Sequence, residues 1–503
     1  MSVKRDIVAN YLGNAWVAIV QIAFVPLYIR YLGIEAFGLI GIFASLQVLM
    51  SFLDVGMTPT LTREMTRFKA GLLPIGEARA LLRTVQLIFT GVAVIIFICI
   101  CSGSRWLAAD WLKAEALPVA TVSGAIGLMG ASIALRWLSG IYRGVITGLQ
   151  HLVWLNSMTA AFATLRGIGV LLVLALISPS VDAFFLYQAC VSLIELMVLS
   201  RKSWSLIASH ESAAFSADAL RRIWRFSTSV SMIALLGLVL MQSDKILLSK
   251  LLPLREFGYY ALASSVAGSL GLLILPISGV AYPRLTELVA RENPAALADA
   301  YHRFAQLLTL ILAPSALVLA LFSDRILMLW IQDAVTVGAT AHLVSLLAVG
   351  VMLNGFMNTP NNLQLAYGNT TFMIALYSVV VLVFVPALFV GVSAFGAVAA
   401  GYAWIAVNAG CILLAVPLMH RRLLPREQAR WFRQDVGLPA TAAFVAAYAV
   451  FLLAPAPSIE ENWANFTVVA LASLLAFAAA AFACPLGRET VARGWSHCIE
   501  SDR

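Results

Sequence analysis

Arg136, Arg143 and Gln150 recur at heptad spacing in an apolar stretch, with Ser132 and Ser139 on the same stripe. On a helix such a spacing keeps side chains on one face, so these residues predict a basic ladder. Arg166 sits in the middle of the next apolar run. A guanidinium carries a fork of donors that matches a phosphate or carboxylate bidentately. Two or three of them converging on a cavity would suit a diphosphate. Two plainer roles fit the same residues: Arg143 snorkelling to lipid headgroups, and Arg136 pairing with a structural carboxylate.

Other polar groups interrupt apolar runs. Asn10, Asn14 and Gln21 share one helical face, which reads as a cavity wall or as interhelical hydrogen-bonding glue. Asn354, Asn358, Asn361, Asn362 and Gln364 surround Pro360. Amides suit hydroxyls, and the proline removes a backbone hydrogen bond and permits a hinge. Lys245 falls near the Ser231/Gln242 face, while Asp244 points away. Adjacent residues on a helix do not face each other, so Asp244 and Lys245 are not expected to pair. Asp54, ahead of Gly56, and Asp244 are the ion-coupling candidates. Glu195, near Arg201, reads as structural. The first half of the chain thus offers cations and the second offers amides. That asymmetry matches a substrate with an anionic end and a sugar-like end.

The elements that must position these groups are membrane helices. Of 503 residues, 61% are hydrophobic and only 12% charged, against roughly 25% charged in soluble domains. A water-soluble globule of this length could not cover its surface, so lipid must solvate most of it. Hydropathy predicts an all-α polytopic membrane protein with about fourteen spans, near 7–29, 36–58, 84–103, 118–141, 153–177, 181–199, 227–250, 258–281, 304–322, 341–366, 371–391, 395–417, 437–455 and 464–484. Basic residues recur at an offset of 220: Arg5 with Arg225, Arg30 with Lys250, Arg83 with Arg303, Arg105 with Arg325, and Arg201-Lys202 with Arg421-Arg422. Gly38 and Gly258, and Gly148 and Gly368, share the offset. The chain reads as two six-span repeats, 1–220 and 221–436, followed by two extra spans and a tail over 437–503. An even number of spans per repeat makes the copies parallel. At this offset Arg136, Arg143 and Arg166 stand opposite Phe356, Leu363 and Pro386. Loop arginines and lysines number 24 on one side and 6 on the other, which places both termini in the cytoplasm. The same loops account for most of the net charge of +8, so no nucleic-acid partner is expected. The segment after the N-terminal MSVKRD lacks a small-residue cleavage site and reads as a retained first helix.

Several chemistries have no signature in the chain. No GxxxxGK[ST], HExxH or GxSxG occurs, and the six histidines and six cysteines are scattered without paired spacing. Asn369-Thr370-Thr371 and Asn465-Phe466-Thr467 match the glycosylation tripeptide, a pattern common by chance. No loop is long enough for a soluble catalytic domain. The expectation is a non-enzymatic transporter with no metal and no cofactor.

The stretch from Pro26 through Gly38 to Phe52-Leu-Asp-Val-Gly56 resembles the opening of bacterial polysaccharide (O-antigen, Wzx-type) flippases. So do Asp244 to Lys250, Glu256 to Tyr260, and Gly148-Leu-Gln150. The resemblance covers roughly residues 1–420 and points to the multidrug/oligosaccharidyl-lipid/polysaccharide flippase superfamily. It implies two six-helix lobes in a V around a cation-lined cavity, working by alternating access. It implies translocation of an undecaprenyl-diphosphate-linked oligosaccharide, a repeat unit of O-antigen, capsule or exopolysaccharide, from the inner to the outer leaflet of the bacterial cytoplasmic membrane. The partners it implies are the lipid-linked oligosaccharide, membrane lipids, and the polymerase and chain-length machinery. The last two spans resemble the extra pair of lipid II flippases. The alternatives are a multidrug antiporter or lipid II flippase of the same superfamily and, from another class, a membrane polysaccharide polymerase.

Overall fold

The structure, a computed structural model, describes residues 13, 16–51, 54, 56–209, 231–457 and 462–489. The chain divides into two compact units, Met1–Gly258 and Tyr259–Arg503. The described residues hold no β-strand beyond an isolated bridge between Lys113 and Pro253. Twelve of their helices are long and apolar enough to cross a membrane. The first and seventh expected spans are only partly described. Trp16–Leu32 (α1) and Ser231–Leu251 (α8) are the helical parts of them.

The first unit continues with α2 (Ile34–Ser51), α3 (Met57–Lys69), α4 (Ile75–Trp106, running on into a π-turn), α5 (Val119–Gly148), α6 (Leu152–Leu176) and α7 (Val181–Leu206). The single span expected over 36–58 is therefore broken. Gly56 adopts a φ of 75°, and the Asp54 carboxylate accepts the Thr58 backbone N–H at 3.0 Å, which starts α3 afresh.

The second unit contains most of α9 (Leu254–Gly268), then α10 (Gly271–Ala290), α11 (Pro294–Leu321), α12 (Ser323–Ile331), α13 (Ala334–Phe356), α14 (Asn358–Ala366), α15 (Thr370–Phe395) and α16 (Ala397–Leu423). The break between α13 and α14 at Met357 lies three residues before Pro360. Pro360 has no N–H to offer the Phe356 carbonyl, so the helix breaks there. The extra pair, α17 (Leu438–Leu453) and α18 (Asn462–Ala483), pack on each other and on α11. Their seam is alanine: Ala443, Ala447, Ala472, Ala476 and Ala480 are fully buried. Small residues at four-residue spacing let helices approach closely where no hydrophobic effect drives them together.

Near Gly38, the first turn of α2 lies against residues 254–258, all within the first unit. A Cβ on Gly38 would stand 2.8 Å from the Leu254 carbonyl oxygen, and one on Gly258 2.3 Å from the Ile34 carbonyl oxygen. Ile34 and Leu254 are 220 positions apart, as are Gly38 and Gly258. The contact is therefore reciprocal, as across a local two-fold axis. Beside it, the buried Glu35 carboxylate accepts the backbone N–H groups of Glu115 and Ala116 at 2.8 and 2.9 Å.

The repeat register drifts along the chain. α2 and α9 begin 220 positions apart, α6 and α15 218, and α7 and α16 216. The left-handed residues that close α5 and α14 are Gln150 (φ 60°) and Gly368 (φ 67°), again 218 apart. The Gly148–Gly368 coincidence is therefore not an equivalence, since Gly148 lies inside α5. In the corrected register Arg136, Arg143 and Arg166 stand opposite Asn354, Asn361 and Phe384, not Phe356, Leu363 and Pro386.

Two buried polar anchors hold the second unit. His302 of α11 contacts Asp435 through Nδ1 and Glu427 through Nε2, the latter at 2.9 Å. Gln306 donates to Asp435 at 2.8 Å and accepts from the Leu486 N–H at 3.0 Å. Arg325 of α12 is 4% exposed and donates to Asn465 Oδ1 at 3.0 Å and to the Pro455 carbonyl. Asn465, matched to the glycosylation tripeptide, is thus buried and occupied. Arg105, the repeat mate of Arg325, is exposed. Arg325→Ala leaves buried acceptors unmade, at about 1–3 kcal/mol each. Its melting temperature in detergent should fall clearly, while Arg105→Ala should melt like the parent chain. Equal melting of both variants with the parent would remove Arg325 as an anchor.

Candidate functional site

The site begins with a close approach of two helices. Thr58, Thr62 and Thr66 run along one face of α3, opposite Gly140, Gly144 and Gly148 of α5. The Thr62 hydroxyl donates to the Gly144 carbonyl at 3.1 Å and the Thr66 hydroxyl to the Gly148 carbonyl at 3.2 Å. A Cβ at Gly148 would stand 2.4 Å from the Thr62 carbonyl oxygen. Only glycine lets the two backbones meet there. This contact carries Asp54 and Thr58 to one wall of a cavity of about 290 Å³. Gln47, Met50 and Ser51 of α2, Phe89 of α4, and Ile133, Arg136, Trp137 and Gly140 of α5 complete the lining. The volume is at the lower end of ligand pockets, ~300–1,000 Å³, room for a head group rather than a whole oligosaccharide.

Arg136 is spread over three helices. Its Nη1 donates to Gln47 Oε1 and its Nη2 to Gln188 Oε1, both at 2.8 Å. Its Nε donates to the Ser192 hydroxyl at 3.2 Å, and its guanidinium carbon lies 5.2 Å from the Phe43 ring centroid. Among the described residues no carboxylate pairs with it directly, contrary to the structural role allowed for above. Its partners are neutral, so its charge stays uncompensated at contact distance. Arg143 and Arg166 instead share one carboxylate: each donates to a different oxygen of Glu195, which is 2% exposed. Arg143 also donates to Thr159 at 2.8 Å. Glu195 therefore belongs to this cluster and not to Arg201. The cluster thus has three guanidinium groups and one carboxylate, which pairs with two of them.

Among the described residues three buried N–H donors around it find no acceptor: Gln47 Nε2, Trp137 Nε1 and Arg166 Nε. Gln47 and Trp137 line the cavity. Cations and unpartnered donors together make a place for an acceptor-rich anion.

Other expected site residues sort differently. Gln150 is not in the ladder, because α5 ends at Gly148; its Oε1 accepts from Lys69 at 2.7 Å. Asp244 and Lys245 do pair, at 3.0 Å. The four-carbon lysine stem curls back over its own helix and outreaches the geometry that separates neighbouring side chains. Lys245 also lines a different, apolar cavity of about 200 Å³ with Leu46, Trp111 and Phe257, so it does not join the arginines. Asp54 faces the Arg136 cavity with Thr58 donating to it through both N–H and hydroxyl. Gln21 is exposed on α1. Asn10 and Asn14 lie outside the described residues.

In the second unit Asn354 is exposed and donates to the buried Asn408 at 2.8 Å, and Asn358 accepts from Asn362 at 3.1 Å. Asn408 and Ser192 occupy matching places in the repeat, 216 positions apart, as do Asn354 and Arg136 at 218. The Arg136–Ser192 hydrogen bond of one copy is an Asn354–Asn408 hydrogen bond in the other.

Sequence reasoning missed Gln47, Gln188, Ser192 and Thr159. A signal for part of them exists: Gln188, Ser192 and Glu195 fall at i, i+4 and i+7, one helical face. The step from Gln188 to Glu195 equals that from Arg136 to Arg143, so the two stripes run in register.

The model of a family described as polysaccharide biosynthesis protein matches residues 3–289, more than half of the chain. A putative O-antigen transporter of Shigella flexneri is 18% identical over 407 residues, covering 80% of this chain and 94% of the relative. Among solved structures, the lipid II flippase MurJ in an inward closed conformation superposes with a TM-score of 0.65 at 13% identity, over 94% of this chain and 97% of that one. An inward-facing multidrug resistance transporter of the MATE family, in the MOP superfamily, superposes with a TM-score of 0.61 at 15% identity, over 82% and 95%. These relatives are transporters and flippases, not enzymes. Gly148→Ala should cost about 1–3 kcal/mol by overpacking the α3–α5 contact, read as a lower melting temperature. Gly127→Ala, whose Cβ would meet nothing nearer than Cys101 Sγ at 3.8 Å, should melt with the parent. A Gly148→Ala protein of parental stability would show that the contact does not set the cavity.

Proposed function

Since the chain belongs to the polysaccharide biosynthesis protein family and has the fold of the multidrug/oligosaccharidyl-lipid/polysaccharide flippase superfamily, we propose that it flips a diphosphate-linked oligosaccharide lipid across the bacterial cytoplasmic membrane. The substrate class is undecaprenyl-diphosphate-linked repeat units. One observation carries the reading: two guanidinium groups share one carboxylate and a third, Arg136, has only neutral partners, beside a cavity with two unpartnered donors in its lining. The excess positive charge is of the order of the two negative charges on a diphosphate diester. A charged diphosphate bearing sugars cannot cross ~30 Å of hydrocarbon unaided. Arg136, Arg143 and Arg166 replace the water around the phosphates, while the isoprenoid tail stays in lipid. The amides of Asn354 and Asn358 serve the sugar hydroxyls.

Residues 1–220 and 221–436 act as the two lobes of an alternating-access transporter, with both termini cytoplasmic, and 437–503 adds a helical pair against the second lobe. Outward movement of the anion is favoured by a membrane potential negative inside, by ~2.3 kcal/mol per charge per 100 mV. Asp54, across the cavity from Arg136, remains a coupling candidate, as does Asp244. A carrier for cationic drugs needs the opposite charge at this place.

Deletion of the gene should leave complete lipid-linked repeat units on the cytoplasmic side and deplete surface polysaccharide. Arg136→Ala and Arg166→Ala, at normal expression, should each lower complementation at least tenfold, as expected for a charge-assisted hydrogen bond worth about 1.5–3 kcal/mol. Arg136→Lys should not rescue, because an ammonium cannot reach Gln47, Gln188 and Ser192 together. Full complementation by both alanine variants would sink the diphosphate cradle.

A further inference from the structure

Among the described residues Glu195 is the one acid in contact with the arginine cluster, and it is held on the inner side. Its side chain is 3% exposed, against 35% for Arg143 and 19% for Arg166. The two guanidinium groups are thus more open than the carboxylate they share. The carboxylate occupies one terminal nitrogen of each arginine, and Arg166 Nε is left without an acceptor. A carboxylate so placed holds the two cations where an incoming phosphate would hold them.

We propose that Glu195 is an exchangeable internal counter-anion, displaced from Arg143 and Arg166 by the phosphates of the substrate. This rests on the diphosphate reading above and adds a regulation to it. Displacement has a second consequence. A buried carboxylate stripped of its cations is strongly disfavoured as an anion, and among the described residues no other acid pairs with these arginines. The charged groups on the packed helices are Arg136 and Arg143 of α5, Arg166 of α6 and Glu35 of α2, which holds the turn before α5, while Asp54 lines the cavity with Arg136. Residues Phe43 and Gln47 of α2, Gln188 and Ser192 of α7, and Thr159 of α6 are uncharged. Arg201 and Lys202 lie toward the end of α7, and Asp182 at its start. As the phosphates take the guanidinium donors, Glu195 takes one proton from water and becomes the neutral acid. On release of the substrate the proton leaves, and the carboxylate recaptures both arginines. The loaded site thus carries the diphosphate charge less one, and the empty site is closed by its own anion.

Calorimetry on the purified full-length chain in detergent tests this, with a synthetic geranyl-diphospho-glucose as probe. That diester has no proton of its own to exchange near neutrality, and geranyl glucoside corrects for partition into micelles. Titration in two buffers of different ionisation enthalpy should give uptake of about one proton per ligand, with affinity strengthening as pH falls. Glu195→Gln should bind more tightly at neutral pH, without proton uptake and without pH dependence, because its competitor is gone. Glu195→Asp should keep the uptake. Parental binding without proton uptake, or uptake undiminished in Glu195→Gln, overturns the exchange while leaving the diphosphate reading intact. If Glu195→Gln fails to fold, the parental uptake and the Glu195→Asp protein decide. Failure of the parent to distinguish the probe from geranyl glucoside overturns both.

Discussion

A charge buried in a membrane helix must find a partner inside the protein, and here two such charges share one carboxylate while a third rests on neutral groups. Arg143 and Arg166 come from consecutive helices and meet at Glu195 on a third. Arg136, with no carboxylate of its own, is held by two amide oxygens and a hydroxyl from α2 and α7. The cluster cannot exist unless α2, α5, α6 and α7 are all in place, so the electrostatic constraint also specifies their packing. Removing Glu195 outright would leave two guanidinium groups facing each other. Replacing one arginine removes a single pair, which is the smaller perturbation. Net positive charge is what distinguishes this arrangement from a closed structural ion pair, in which the charges would cancel.

Packing that close requires backbones to meet. Glycine provides this in two ways. On α5 it removes the side chain from the face that threonines of α3 cross, and the threonine hydroxyls then satisfy themselves on the opposed carbonyls. At Gly38 and Gly258 it lets two carbonyl oxygens approach where any Cβ would collide. The stretch around Glu35 and Gly38, which carries the family resemblance, is therefore explained by folding. Its glutamate ties down the turn before α5, and its glycine makes the reciprocal contact.

The helical architecture was legible because hydropathy is summed over some twenty residues and survives local error. The duplication was legible for a similar reason, since membrane-edge charges repeat. Register was not. A drift of two to four positions, masked by the 220 spacing of Arg201-Lys202 and Arg421-Arg422 at the far ends of the repeats, moved Arg136 from opposite Phe356 to opposite Asn354. The deep arginines could be singled out from their cost in lipid. Their partners could not, because Gln188, Ser192 and Gln47 are unremarkable polar residues until the helix faces are known. Lys245 and Asp244 were misjudged by a rule for short side chains, and Gln150 by a helix end that hydropathy does not mark.

The corrected register gives the two halves a sharper chemical relation than a contrast between cations and amides. At one place in each repeat a side chain of the fourth span reaches a side chain of the sixth. In the first copy the donor is a guanidinium that bonds to Ser192, and in the second it is an amide that bonds to Asn408. The scaffold hydrogen bond is kept and the charge is not. Trp404 stands where Gln188 stands in the first copy, and Cys411 where Glu195 does, so two polar partners of the arginines on that helix have been replaced by less polar groups. Keeping a cation at Asn354 would have required restoring those partners as well. The first copy therefore carries the anion-binding chemistry as a set of residues on several helices, and the second retains the geometry of the site without its charge.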